Sequence, residues 1–295
     1  MKQTHFDLVI LGLGSTAFAA ALRAQELGKT SVMTEERTTG GTCVNRGCLP
    51  SKNLIEAAKL IHDARYPRYP GLVPAEVKLD FRKLIEQKDE VIHGYRHKKY
   101  ESLTGGRFTI KKGHVEFVDN HTAGGDVISR EVGSQMATPV GSQDGHIAAH
   151  NAFAKGEQHR VNHRVIPRTI FTDPQIATVG MTEEEAISAG HNCWCNVVPM
   201  SLVPRAGVIR DTAGMIKMVA DGDTEEVLGV AMVGHTAGEV VHEAAMALRF
   251  HAKIDDFINL LHVYPTMSEA LKIVAISRRK DPAKLSCSGS CRPRA

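Results

Sequence analysis

Apolar residues follow two rhythms along the chain. In the first part, short apolar runs alternate with helical stretches. Leu8-Val9-Ile10-Leu11 has the pattern of a buried parallel strand, and an Ala-rich helix to about Gly28 and a second strand over Ser31 to Thr34 follow it. A helix then runs from about Lys52 to Arg65, a Tyr/Pro-rich loop spans Tyr66 to Pro74, and a long charged helix covers Phe81 to Tyr100 with a solvated face of Lys, Arg and Glu. Strands are predicted at Phe108 to Ile110 and His114 to Val118, and an Ala/Gly-rich helix from about Met136 to Ala154. From about Val165 the rhythm changes. Val165 to Val179 is extended and β-branched, Thr182 to Glu185 caps and opens a helix, and Gly190 ends it. Strands at Cys193 to Val198, Met215 to Ala220 and Val227 to Val233 precede helices over about Ala237 to Phe250, Ile254 to Leu260 and Thr266 to Ser277. The fold class is therefore α/β: a Rossmann-like domain over 1–160, then an α+β domain over 161–280, then a small-residue tail over 281–295.

Two local patterns carry chemistry. Gly12-Leu13-Gly14-Ser15-Thr16-Ala17, between the first strand and its helix, is a G-x-G-x-x-A turn that lets a pyrophosphate rest on a helix N-terminus. Glu35 ends the second strand, where an acidic side chain can hold a ribose hydroxyl pair. The second pattern is Gly40 to Lys52, GGTCVNRGCLPSK. Cys43 and Cys48 can close into a small disulfide ring or open into a dithiol, and Pro50 suits a first helical turn. Cys48 is thus expected near a helix N-terminus, where the dipole and Lys52 favour the thiolate. Taken alone, the two cysteines also allow a buried apolar pair or half of a zinc site.

The cysteine segment resembles the redox-disulfide signature of the flavin-dependent pyridine nucleotide-disulfide oxidoreductases, which include glutathione reductase, dihydrolipoamide dehydrogenase and mercuric reductase. The resemblance implies FAD at the first glycine turn, with Gly12, Gly14, Ser15, Ala17 and Glu35 as contacts and Gly41, Thr42 and Lys52 beside it. Cys48 would then touch the flavin, Cys43 would be the outer, exchange-competent thiol, and Lys52 would tune the flavin electrostatically. Ala123-Gly124-Gly125-Asp126-Val127 looks like the family's second FAD motif, with Asp126 on the ribityl and phosphate region, and Ala137 and Thr138 open a helix facing the flavin pyrimidine ring. The later α+β block resembles the family's interface domain, which implies a homodimer whose active sites are shared between subunits.

One departure from the family is large. Between Thr122 and Ala123 the family carries the rest of a flavin-domain sheet and a whole nicotinamide domain with a second G-x-G-x-x-G, and this sequence has no such motif. The expectation is an internal deletion near 119–125 of roughly 100–150 residues, a domain's worth of chain. NADPH is expected of the family, while its binding site is expected to be missing.

Within the family, His262-Val263-Tyr264-Pro265-Thr266-Met267-Ser268-Glu269 points toward the mercuric reductases. Thiol-substrate enzymes place a His before the Pro and pair it with the Glu; here that position is Tyr264, and a phenol with a pKa of about 10 is a poor proton shuttle at neutral pH. His262 is expected to be structural. The tail cysteines, Cys287 and Cys291, resemble a metal-collecting arm, although three residues separate them where the family tail has adjacent cysteines. Hg(II) is a soft cation that prefers thiolate sulfur, so the expected activity is reduction of Hg(II) to Hg(0) at Cys43 and Cys48, with Tyr264 and Glu269 assisting. The alternatives are a non-catalytic Hg(II)-sequestering dimer or truncated remnant, and a dithiol-substrate reductase. Cys193 and Cys195 share one strand face, and packing is their expected role.

Composition narrows this without changing it. A net charge of +3 on 295 residues suggests neither a nucleic-acid nor a membrane partner. No apolar run approaches the ~20 residues a bilayer requires. Met1 to Asp7 leads straight into a strand, so a cytoplasmic location is expected, where six cysteines suggest redox or metal work.

Overall fold

A computed structural model describes residues 5–103, 108–115 and 137–284 of the chain. The expected Asp126 motif, the 119–125 junction, Cys287 and Cys291 lie outside the described residues. The described residues form two compact units, one within 1–62 and 76–161, the other within 63–75 and 162–295.

The first unit is a layered α/β structure. Strands β1 (Leu8–Leu11), β2 (Ser31–Glu35) and β3 (Phe108–Lys112) form a parallel sheet in the order β1-β2-β3. Helix α1 (Ser15–Glu26) buries Ala17, Phe18, Ala21 and Ala24. It crosses α5 (Thr138–Phe153) where Gly141 and Gly145 face Thr16, so the glycines set how closely the two helices approach. Helix α2 (Gly41–Asn45) is a single turn, and α3 (Cys48–Arg65) and α4 (Phe81–Lys99) are longer. Asp80 caps α4 by accepting from the Lys83 amide, and Ile92 is its buried residue, which leaves the charged side chains largely outside. The core joins Leu13, Phe18, Met33, Val44, Ile92 and Tyr100.

The second unit is an antiparallel five-stranded sheet packed with helices. Its order is β4-β5-β8-β7-β6, with β4 (Arg168–Ile170), β5 (Gln175–Gly180), β6 (Cys193–Pro199), β7 (Met215–Asp221) and β8 (Val227–Gly234). The expected continuous stretch from Val165 to Val179 is two strands, divided near the cis Asp173–Pro174 bond, because a proline there cannot donate to the ladder. Helix α6 (Glu183–Ser188) opens with the expected capping box between Thr182 and Glu185, and Gly190 follows it at φ 89°. The one-turn helix α7 (Pro204–Val208) was not predicted from the pattern. Helices α8 (Ala237–Arg249), α9 (Ile254–Asn259) and α10 (Glu269–Ile276) complete a core that includes Ile216, Met218, Met232, Leu248 and Leu271. Among the described residues no helix is long and apolar enough to cross a membrane.

Candidate active site

The glycine turn and the cysteine segment are built against each other within the first unit. Gly12 leaves β1 at φ 107°, a left-handed value that favours glycine, and Gly14 precedes α1. The Gly40 amide donates to the Leu13 carbonyl at 2.9 Å. A side chain at Gly41, itself at φ 64°, would meet the Cα of Gly14 at 2.8 Å, so the two backbones touch where only hydrogen atoms fit. Glu35 fastens the same turn: its Oε2 accepts from the Leu13 amide at 3.3 Å and its Oε1 from the Arg37 amide at 3.0 Å. A cleft of about 250 Å³ opens here, lined among others by Glu35, Gly41, Thr42, Asn45 and Arg46. The Glu35 carboxylate, the side-chain-free turn and the start of α1 fit the ribose and pyrophosphate of a dinucleotide.

Cys43 lies in α2 and Cys48 is the first residue of α3, with both thiols free. Between them the chain turns at Arg46 and Gly47, and the Gly47 amide donates to the Thr42 carbonyl at 2.8 Å. The thiols are within hydrogen-bond reach of one another, and Thr138, the first residue of α5, also reaches Cys43. Burial pushes the Cys43 thiol above the usual cysteine range. The hydrogen bond to Cys48 raises it further, and the Thr138 hydroxyl pulls the other way. Cys43 is half-buried and Cys48 exposed. Lys52, one turn into α3, brings its Nζ to the Ser51 hydroxyl at 3.5 Å.

Sequence reasoning missed two residues of this site. The Asn45 side chain donates to the carbonyls of Thr39 and Gly41, both at 2.9 Å, and so holds the glycine loop in place. Tyr100 is buried with its hydroxyl 3.1 Å from Ser15 Oγ and its ring 4.6 Å from that of Phe18. The Asn-Arg-Gly run that ends α2 is a recognised turn signal that could have drawn attention to Asn45. Nothing local singles out Tyr100.

The second unit carries the other predicted residues. Tyr264 is half-exposed and precedes a cis peptide to Pro265. Glu269 opens α10, and its Oε2 accepts from the Thr266 amide at 3.0 Å. The side chain of His262 is buried, with Nε2 2.9 Å from Glu243 Oε1 on α8. Among the described residues no group of three His, Cys, Asp or Glu side chains is arranged to hold a metal ion.

A glycine turn that fits a dinucleotide beside a paired dithiol, followed by an antiparallel domain, defines a flavin-dependent disulfide oxidoreductase. Residues 6–138 match the family described as pyridine nucleotide-disulphide oxidoreductase, and 166–275 match its dimerisation domain. The chain belongs to this family.

Among its relatives, the mercuric reductase of Lysinibacillus sphaericus is 25% identical over 466 aligned residues, covering 97% of this chain and 85% of that protein. The mitochondrial dihydrolipoyl dehydrogenase of Schizosaccharomyces pombe is 39% identical over 131 residues, covering 44% of this chain and 25% of that protein. In fold, the chain is similar to the HOCl-induced flavoprotein disulfide reductase RclA from Escherichia coli. The TM-score is 0.75 at 16% identity, with coverage of 92% of this chain and 100% of that one.

Proposed function

We propose that the chain is a mercuric-reductase type of this family, which binds Hg(II) at Cys43 and Cys48 and reduces it to Hg(0) with electrons from NADPH. The observation that carries the reading is the free, mutually hydrogen-bonded thiol pair beside the dinucleotide turn. Two thiols bind Hg(II) as a bis-thiolate and release two protons to solvent; two electrons then convert the bound ion to Hg(0) and free both thiolates. Bound FAD, held by the Gly12–Gly14 turn, Glu35, Gly41 and Thr42, would supply the two-electron carrier next to the pair. Thr138 contributes a hydroxyl that favours the Cys43 thiolate against its burial. As a homodimer, the chain would draw Tyr264 and Glu269 from the partner subunit. Tyr264, in the position where thiol-substrate relatives carry a His, disfavours proton shuttling to an organic dithiol. Cys287 and Cys291 would collect the metal, and the names of the aligned relatives support the substrate.

A second reading, a dimer that sequesters Hg(II) without turning it over, is favoured by two observations. The alignment to a relative spans 466 residues whereas this chain has 295, and the sequence holds no second G-x-G-x-x-G. Both facts fit a missing nicotinamide domain near 119–125. An anaerobic NADPH titration of the FAD-reconstituted protein, followed by Hg(II)-dependent NADPH oxidation, separates the two. Flavin bleaching with turnover supports the reductase. Bleaching by dithionite alone, or a colourless protein that still binds Hg(II), supports sequestration.

A further inference from the structure

We infer that Cys193 and Cys195 form a second thiolate site, on the second unit, that takes a soft two-coordinate cation such as Hg(II). Both cysteines are free and partly accessible, on β6, an edge strand of the five-stranded sheet. Their neighbours at 194 and 198 point to the other face, where Val198 is buried in the core and Trp194 packs against it. In the β6–β7 register Cys193 is opposite Asp221, Cys195 opposite Val219 and Val197 opposite Lys217, so Lys217 shares the thiol face. Helix α6 supplies Glu183, whose carboxylate lies 2.5 Å from Lys217 Nζ and accepts the Cys195 S–H.

The spacing decides what the pair can bind. Side chains at i and i+2 of a strand leave in parallel, about 6.7 Å apart at the Cβ atoms. A disulfide needs Cβ atoms roughly 3.5–4.5 Å apart, so this pair does not close on itself in the strand conformation. A linear S–metal–S unit with bonds of about 2.3 Å spans about 4.6 Å, which an inward lean of about 1 Å by each sulfur provides. Glu183 is engaged by Lys217 as well as by the Cys195 S–H, and among the described residues no group of three or more His, Cys, Asp or Glu side chains is arranged to hold a metal, so the four donors of a tetrahedral set are not assembled here. The site therefore suits a soft ion content with two sulfurs over Zn(II). Binding moves no electrons: two S–H protons leave and two metal–sulfur bonds form. Burial raises both thiols, so the pair rests protonated until such an ion arrives.

The test of this site uses neither the flavin nor the redox pair. Trp194, between the two cysteines, is the sole tryptophan of the chain, so Hg(II) bound there quenches all indole emission from within one residue. In the full chain with Cys43, Cys48, Cys287 and Cys291 replaced by serine, one equivalent of Hg(II) is expected to quench Trp194. One ion per chain should also persist through a challenge with excess glutathione, read by native mass spectrometry, while Zn(II) is not retained. Adding Cys193→Ser and Cys195→Ser should abolish both signals. In the otherwise unaltered chain the same two substitutions should lower Hg(II) stoichiometry by one, which guards against a misfolded multiple variant. Loss of the ion to glutathione in the four-serine chain with native circular dichroism, or unchanged stoichiometry in the double variant, overturns the assignment. Neither outcome bears on whether Hg(II) is reduced at Cys43 and Cys48.

Discussion

Gly145→Ala and Gly94→Ala are the same chemical change with opposite expected signs. Both glycines lie inside long helices, α5 and α4, where alanine is preferred by about 0.8–1 kcal/mol. At Gly94 a new methyl group meets nothing within 4 Å, so the preference stands alone. At Gly145 the methyl would lie 2.3 Å from the Thr16 carbonyl oxygen and 3.1 Å from its carbon. These are backbone atoms of α1, so relief requires the helices to part by about 1 Å, and overpacking of this kind costs roughly 1–3 kcal/mol. After the helix preference is subtracted, Gly145→Ala is expected to destabilise the first unit by about 0–2 kcal/mol, with about 1 kcal/mol as the central value. A change of 1 kcal/mol moves the midpoint by roughly 2–4 °C in a unit of this size. Thermal unfolding followed by circular dichroism should therefore rise by about that much for Gly94→Ala and fall for Gly145→Ala. Because α5 also brings Thr138 to Cys43, the second variant should alter Cys43 alkylation as well. A Gly145→Ala midpoint raised as far as that of Gly94→Ala would refute the argument that these glycines set the helix approach.

Three further outcomes follow from the site and its supports. Cys43, its thiol pushed up chiefly by burial, should alkylate slowly at neutral pH and accelerate only above the ordinary cysteine range; Thr138→Val should move that rise to still higher pH, as read by peptide-resolved mass spectrometry. Asp221 is held well below the usual carboxylate range, first by the Thr224 amide and then by His191, so its charged form stabilises the fold above the unfolded pKa of about 3.9 and loses that effect as pH falls toward the folded value. Asp221→Asn should lower the unfolding midpoint at pH 7, and the gap to the unaltered chain should narrow steadily below about pH 4; a gap that widens in acid contradicts the sign. Tyr264→His should lower Hg(II)-dependent turnover, whereas an unchanged or higher rate with a dithiol substrate would favour the thiol-reductase alternative.

The sequence made the dithiol and the dinucleotide turn visible because both are local: Gly12, Gly14, Cys43, Cys48 and Pro50 impose their geometry within a few residues. The antiparallel unit was legible from β-branched runs and from the Thr182 and Gly190 signals at the ends of α6. What escaped was long-range or very short. Tyr100 ends a charged helix and reaches Ser15 across 85 positions, which no window can register. Helices α2 and α7, five residues each, are too brief for a 3.6-residue period to show. The salt bridge from Arg68 to Asp211 at 2.7 Å helps explain why 63–75 groups with the second unit although its sequence reads as a loop of the first half. The expected strand at His114 to Val118 begins at residues that leave the sheet after Lys112, where Gly113 turns at φ 155°.

The touching backbones of Gly14 and Gly41 give the cysteine segment an anchor made of main chain alone. Such a joint has no rotamers. The start of the redox loop is therefore located by the same rigid peptide planes that shape the dinucleotide turn, and with Gly40 bonded to Leu13 it cannot drift from that turn without breaking a backbone hydrogen bond. Side chains around the joint can be exchanged to retune reactivity at Cys43 or Cys48 while the spacing between turn and thiols stays fixed, which separates the placement of the reacting atoms from their chemical tuning.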